Sequence, residues 1–429
     1  MLRKYFIEDL NESLDGKEVL LAGWVHEVRL LGNITFLVLR DKTGLVQIIG
    51  KADTVDKKTI KQMNLPKESV IQVKGILKIN KEAKKGFEIL PIEIINLNPI
   101  NSLIPFEITG KVDAEQDVRL DFRYMDLRRI ETTAIFDIQS TILNSFRNAL
   151  ISKKFQEIRT PCIVEEATEG GSDLFTINYF EKKAYLAQSP QLYKQLAVIG
   201  GMDKVFVISP VFRAEKSNTS YHLTEITQMD AEIGFSDYND AINLLSEVVL
   251  SILKEIKEKN KRALKNLEVD LQIPNVNIIT YSKAIEKLNN EGIKIEFGND
   301  FNREMEMKIS KIFGDAVIIK DFPTELRAFY SMPHEDDATV CKSFDFIYKG
   351  IEISSGAQRI HEKNLLIKAL KDRNMDLKKF EFYINAMGCG APPHAGWSIG
   401  LERLTMQITE QKNIRETSLF PRDIKRLRP

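Results

Sequence analysis

The sequence predicts an α+β protein: a small β-barrel at the N-terminus, then a mainly antiparallel sheet flanked by helices. Three observations lead there. Short apolar–polar runs separated by turn residues fill the first hundred positions. Strand-like runs return from about residue 181 onward, interleaved with segments of helical period. The chain has 429 residues, enough for two or three domains with an ample core in the larger.

In the first part, Val19 to Val28, Thr35 to Arg40, Leu45 to Gly50, Val70 to Ile79 and Phe87 to Leu97 read as strands. Asp41-Lys42-Thr43-Gly44 supplies a turn, and Lys57 to Met63 a short helix between the third and fourth strands. Five strands and one helix suit an OB-fold over residues 1–103; another small barrel is the alternative. From Lys51 to Lys85 there are ten lysines against four acids, either a solvated face or a phosphate-tracking surface. Residues 104–130 read as a hinge, dense in charge and aromatics from Arg119 to Arg129.

The second part, 131–429, opens with a helical stripe of Ile135, Ile138, Ile142, Leu143, Phe146 and Leu150, then a strand from Phe155 to Arg159 ending at Thr160-Pro161. An apolar stripe beside a strand edge wants a symmetric partner, or else packs within its own domain. Further strands are expected at Ala184 to Ala187, Val205 to Phe212, His222 to Ile233, Phe344 to Ile347, Ile351 to Ser354 and Ala395 to Ile399. Asp240 to Leu264 reads as one amphipathic helix. Residues 240–330 carry no identifiable chemistry and read as a helical insertion around the sheet.

Formal net charge is zero, so a nucleic-acid partner would be met by local patches. Cys162, Cys341 and Cys389 are widely spaced without a CxxC, which argues against a zinc site or disulfide framework. No run approaches a membrane span, and the stretch Met1 to Leu10 carries acids and lacks a long apolar core. The expected compartment is the cytoplasm.

Three segments carry chemistry. Val211-Phe212-Arg213-Ala214-Glu215 precedes a loop and then His222-Leu223-Thr224-Glu225; on a strand, Arg213 and Glu215 share one face. Gly396-Trp397-Ser398-Ile399-Gly400-Leu401-Glu402-Arg403 reads as a strand running into a helix. Asp345 and Glu352 flank a turn at Lys349-Gly350, so a hairpin brings two carboxylates together, hard oxygen donors that suit Mg²⁺. Two arginines and two acids can grip a triphosphate and its metal without a Walker loop.

In this order and spacing, the set resembles class II aminoacyl-tRNA synthetases, specifically aspartyl enzymes of the archaeal type. The resemblance spans essentially the whole chain and is weakest over 240–330. It implies ATP and L-aspartate as substrates, Mg²⁺ as cofactor, tRNA(Asp) as acceptor and a homodimer formed through the helix–strand unit ending at Pro161. Arg213, Glu352 and Arg403 would be catalytic. Glu215, His222 and Gly400 would join them around ATP, and Asp345, Glu352 and Ser355 around the metal. For aspartate the match implies Glu169 and Gln191 on the α-ammonium, with Ser355 nearby, Lys194 and Arg359 on the β-carboxylate, and Asp230 orienting both cations. In asparaginyl enzymes the lysine is absent and a longer acid replaces the aspartate, so Lys194 with Asp230 argues for aspartate. Thr168 to Asp173 matches a lid over the amino acid.

On the barrel, the resemblance assigns anticodon reading to Phe36 and Gln47, with Arg29 and Glu88 as weaker candidates. Three departures stand out. Family members usually have arginine where this chain has Tyr221. Archaeal enzymes restricted to tRNA(Asp) carry tryptophan where this chain has His26, and lysine after the proline matching Pro91, where this chain has Ile92. Enzymes that also charge tRNA(Asn) resemble it at His26. A non-discriminating aspartyl enzyme is the expectation, with a tRNA-dependent amidotransferase as a possible partner; a strictly discriminating one, or an asparaginyl enzyme, is the alternative. An amidating ligase on the same catalytic core would lack the barrel, and an RNA-binding paralogue would have lost Arg213, Glu352 or Arg403.

Overall fold

The computed structural model describes residues 1–110, 112–165, 174–216 and 218–429. The chain divides into two compact units, Met1–Thr133 and Ala134–Pro429. In the first, β1 (Glu18–Leu31), β2 (Ile34–Asp41), β3 (Gly44–Lys51), β4 (Val70–Ile79) and β5 (Phe87–Asn98) close a barrel in the order β1-β2-β3-β5-β4. Alternation drives it: Val19, Leu21, Leu37, Leu39, Val46, Ile48, Ile71 and Val73 point inward and are buried, while the intervening residues face out. Helix α1 (Lys57–Met63) links β3 to β4, started by Asp56, whose side chain accepts the Lys58 and Thr59 amides. Short helices α2 (Gln116–Asp121) and α3 (Arg123–Asp126) follow in the segment expected to be a hinge.

The second unit starts within α4 (Ile130–Ser152). Its strands are β6 (Gln156–Glu157), β7 (Ile163–Val164), β8 (Thr176–Tyr179), β9 (Lys182–Leu186), β10 (Lys204–Phe212), β11 (Glu225–Gly234), β12 (Val276–Thr280), β13 (Ala316–Pro323), β14 (Val340–Tyr348), β15 (Ile351–Gln358) and β16 (His394–Gly400). Among the described residues, eight form one sheet in the order β12-β13-β14-β15-β16-β11-β10-β6, antiparallel except at β12/β13 and β10/β6. Helix α5 (Gln191–Ala197) lies between β9 and β10. Then come α6 (Tyr238–Lys259), α7 (Lys261–Asn266), α8 (Tyr281–Asn290), α9 (Arg303–Phe313), α10 (Lys363–Asp372), α11 (Glu381–Gly388) and α12 (Leu401–Ile408). One sheet face packs on α4 and α6 through Ile138, Phe146, Phe206, Leu245, Val249, Phe346, Ile353 and Trp397.

Several expectations are corrected. The stripe Ile135, Ile138, Ile142, Phe146 and Leu150 is buried within its own unit, so it offers no exposed face to a partner. The strand expected from Phe155 to Arg159 is only Gln156–Glu157, although it does lie at the sheet's edge. The helix expected from Asp240 to Leu264 breaks at Asn260 into α6 and α7. The 240–330 segment is not helices alone: besides α6 to α9 it holds β12 and β13, which extend the sheet, with β13 hydrogen-bonded beside β14. Its short apolar runs were hidden among the more conspicuous helical patterns.

Candidate active site and nucleic-acid face

One row of residues crosses the open sheet face. Asp345 pairs with Ser355, Ser355 with Ser398, and Ser398 with Asp230, on the adjacent strands β14, β15, β16 and β11. At about 4.8 Å per strand the row spans roughly 14 Å, the scale of two small ligands end to end. The site is built along it.

At the β11 end lies a buried cationic pocket. Lys194, on α5, is fully buried; its Nζ donates to Asp230 Oδ1 at 2.8 Å and to the Trp397 carbonyl at 3.2 Å. Arg359, just past β15, donates from Nε to Glu232 Oε1 at 2.9 Å and from Nη2 to Glu232 Oε2 at 3.2 Å. Lys194 Nζ also lies 3.4 Å from Glu232 Oε2, so the two cations share that carboxylate. Asp230 was expected to orient both; it orients Lys194, and Glu232 binds Arg359. Burial would raise the Glu232 carboxyl, but Arg359 and Lys194 more than offset it and hold it below the usual range. Gly396 makes room: a Cβ there would sit 2.1 Å from Glu232 Oε2. Arg359 Nη1 has no hydrogen-bond partner among the described residues, and Gln191 Nε2 is buried without one. Gln191 Oε1 accepts from Arg359 Nη2 at 3.4 Å. Ser398 joins this pocket to its neighbour, donating to Asp230 Oδ2 at 3.1 Å.

That neighbour is a cavity of about 180 Å³ lined by Arg213, Glu215, Tyr221, His222, Glu352, Ser355, Ser398, Gly400 and Arg403. The structure thus brings together every residue expected around a nucleotide. Strand β10 stops at Phe212 and β11 starts at Glu225, so Arg213, Glu215 and His222 sit on the loop between them rather than on strands; Arg213 N–H to the Thr224 carbonyl (2.9 Å) closes its base. The Arg213 guanidinium has no hydrogen-bond or ion-pair partner among the described residues, a free anion receptor on the cavity wall. Arg403, in the first turn of α12, donates to the Glu352 carbonyl at 3.1 Å. His222 Nδ1 lies 2.6 Å from Thr219 Oγ1, and burial, then Arg403, lower its pKa, which keeps the ring neutral. A Cβ on Gly400 would meet nothing closer than Arg403 at 3.8 Å, so the glycine leaves open space above the sheet.

The carboxylates meet at the β14 end through a bulge. Regular pairing from Asp345–Ser355 would place Glu352 opposite Tyr348, facing the core. The register slips, so Glu352 pairs with Ile347 and joins Asp345 and Ser355 on the open face, while Ile353 goes into the core. Arg327 forks onto both oxygens of Asp345. Burial, then the Asp345 charge, raises the Glu352 carboxyl, and Arg403 and Arg327 offset this only in part. Two acids and a hydroxyl there fit a hard divalent cation. Glu306, on α9, is pushed up to about 7 by burial and then by Glu352, whose backbone amide it accepts. Arg327 and Glu306 both come from the segment read as chemically silent. No motif marked them; only the fold brings them here. Glu232 was legible, two residues after Asp230 on one strand and so on the same face. Glu169 and the lid Thr168 to Asp173 lie outside the described residues.

On the barrel, Phe36 and Arg29 face each other across β1 and β2, on the outer surface. Gln47 donates to Glu88 Oε2 at 3.3 Å on the neighbouring strands β3 and β5. His26 and Ile92 are each the extra residue of a bulge, between Val25 and Glu27 on β1 and beside Pro91 on β5. Pro91 is buried and Ile92 exposed.

Comparison with known proteins fits this geometry. Residues 115–424 match the model of the tRNA synthetases class II (D, K and N), and residues 19–97 that of the OB-fold nucleic acid binding domain. The chain belongs to the class II tRNA synthetases. It is an aminoacyl-tRNA ligase with an N-terminal OB-fold barrel. Among relatives of this synthetase, the Aspartate--tRNA(Asp/Asn) ligase of Methanocaldococcus jannaschii is 44% identical over 100% of this chain and 98% of its own. That of Methanopyrus kandleri is 42% identical over 100% of both. Among solved structures, the asparaginyl-tRNA synthetase of Pyrococcus horikoshii with asparaginyl-adenylate superposes with a TM-score of 0.95 at 31% identity, covering 100% of both chains. The aspartyl tRNA synthetase of Entamoeba histolytica gives 0.90 at 34%, covering 100% of this chain and 93% of its own. Backbone similarity therefore does not separate aspartate from asparagine in this synthetase family; the pocket side chains must. Among the described residues of this synthetase, no helix is long and apolar enough to cross a membrane.

Proposed function

We propose that the chain is a non-discriminating aspartate–tRNA ligase, which activates L-aspartate with ATP and transfers it to tRNA(Asp) and tRNA(Asn). The carrying observation is the buried pair Lys194 and Arg359, meeting on Glu232 beside Asp230. A β-carboxylate suits the donors such a pair presents. The amide of asparagine would set an NH₂ against cations and leave donors unpaired in a dry pocket, a loss of several orders of magnitude. Full-length relatives named for both tRNAs support the relaxed acceptor choice.

In this reading the α-carboxylate of aspartate, its side chain held by Lys194 and Arg359, attacks the α-phosphorus of ATP in line. Arg213 pairs with the α-phosphate and takes up the charge that grows as pyrophosphate leaves, and Arg403 lies along the nucleotide. Neutral His222 offers a hydrogen bond at the far phosphates. Gln191 and Glu169 hold the α-ammonium. Asp345, Glu352 and Ser355 would hold Mg²⁺, which when bound neutralises phosphate charge. The terminal ribose 3′ hydroxyl of tRNA then takes the aspartyl group. Phe36 and Gln47, with Arg29 and Glu88, read the anticodon. The enzyme works as a cytoplasmic homodimer joined at the edge strand β6, and an amidotransferase would convert aspartyl-tRNA(Asn).

Charging assays with both purified tRNAs test this. Aspartate should be attached to each; attachment to tRNA(Asp) alone would support a discriminating enzyme instead.

A further inference from the structure

His26 has one ring nitrogen committed inside the barrel unit. Arg40 Nη1 lies 3.1 Å from its Nδ1. A guanidinium is always charged and only donates, so Nδ1 must accept. The ring is therefore neutral, with its proton on Nε2; burial, then Arg40, lower its pKa in the same sense. Nε2 has no hydrogen-bond partner among the described residues. Arg40 is itself fixed. It is 3% exposed, and its Nη2 donates to Glu68 Oε2 at 2.6 Å. Glu68 also accepts from Arg128 at 2.9 Å, whose guanidinium lies 5.0 Å over the Trp24 ring. The Glu68 amide donates to the Val25 carbonyl at 2.7 Å, and the Val25 amide to the Ser69 carbonyl at 2.9 Å, pinning the strand next to the bulge. The ring's support is thus a closed, buried lattice, and what it presents outward is one N–H.

We propose that Arg40 is a positioning residue for anticodon reading: it locks His26 as the Nε2–H tautomer, whose single donor meets the O2 carbonyl of the pyrimidine that distinguishes the two anticodons. This rests on the relaxed-charging reading above. Aspartate and asparagine codons differ only in their first base, so their anticodons differ at one pyrimidine, cytosine or uracil. The Watson–Crick edges of these bases oppose each other at the amino or oxo group and at N3, but both carry O2 as an acceptor. A side chain able only to donate reads the shared atom and passes both tRNAs. An acceptor facing the 4-position would tell them apart, because it meets an amino group on cytosine and an oxo group on uracil.

The test has two arms. Histidine-selective ¹⁵N labelling of the full-length protein, which has five histidines, reports tautomers at pH 7.5. His26 should be protonated at Nε2 and bare at Nδ1, and Arg40→Met should give mixed tautomers; an Nδ1–H ring in the unaltered protein overturns the proposal. In the second arm, both tRNAs are transcribed with 2-thio substitution at the discriminating pyrimidine, since sulfur is a poor acceptor. The unaltered enzyme should lose about tenfold in kcat/KM for both tRNAs, the scale of one hydrogen bond, and H26A should show no further loss from the sulfur. A loss with one tRNA only, or an equal sulfur effect in H26A, overturns it. Failure to charge unmodified tRNA(Asn) sinks the relaxed-charging reading, while the tautomer arm still judges Arg40 separately.

Discussion

Lys194 and Arg359 converge on one carboxylate: Lys194 Nζ and Arg359 Nη2 lie 3.4 and 3.2 Å from the same Glu232 Oε2. Two buried cations within reach of one oxygen can also be bridged by one small anionic ligand. Glu232 neutralises part of their charge while the ligand is away. Glu232→Gln should therefore cost about 3–5 kcal/mol of stability, the scale of breaking a buried ion pair. Thermal unfolding would measure it, and an unchanged midpoint would contradict the shared-carboxylate geometry.

Lys194→Met keeps the apolar stem and removes the charge. The expected result is a fall in kcat/KM for aspartate of about 10²-fold or more, from an unpaired ligand oxygen in a dry pocket. Steady-state kinetics decide it; a change confined to the tRNA step would place Lys194 elsewhere.

Among the described residues the Arg213 guanidinium on the cavity wall has no partner, so its loss should act on the chemical step. Arg213→Ala should lower kcat of adenylate formation by about 10²–10³-fold, as removing one oxyanion donor does elsewhere, with little effect on folding. Rapid-quench measurement of adenylate formation separates this from tRNA binding.

The acids near β14 give a pH dependence. Glu306 is raised to about 7. A folded-state pKa above the unfolded value means that the folded state binds more protons between them, so its contribution is full at low pH and lost as pH rises through about 7. Melting temperature without metal should fall between pH 5.5 and 8, and Glu306→Gln should flatten that fall. Mg²⁺ with ATP should stabilise more at pH 8 than at pH 6, because more carboxylate is ionised. An equal effect at both would argue against acids at this position serving the metal.

Much of this was legible in the sequence, for identifiable reasons. Away from the bulges at His26 and Ile92, inward and outward residues alternate along much of the barrel strands, so period-two reading located them. Arg213, Glu352 and Arg403 sit in motifs whose spacing reflects one strand–loop–strand unit, one hairpin and one strand–helix junction. Glu352 is instructive: alternation alone would turn it away from Ser355, and the bulge that turns it back has no signature in Ile353-Ser354. Arg327 and Glu306 were invisible because their function depends on β13 and α9 packing beside β14, a long-range contact that local pattern cannot encode. The α4 stripe misled in the opposite direction, since an apolar face does not reveal whether its cover is a partner or its own sheet.

The most direct test of the pocket is amino-acid-dependent pyrophosphate exchange without tRNA. If the Lys194–Arg359 pair selects a second carboxylate, aspartate will drive exchange and asparagine will support it at least about 10³-fold less well. Comparable exchange with asparagine would contradict the account.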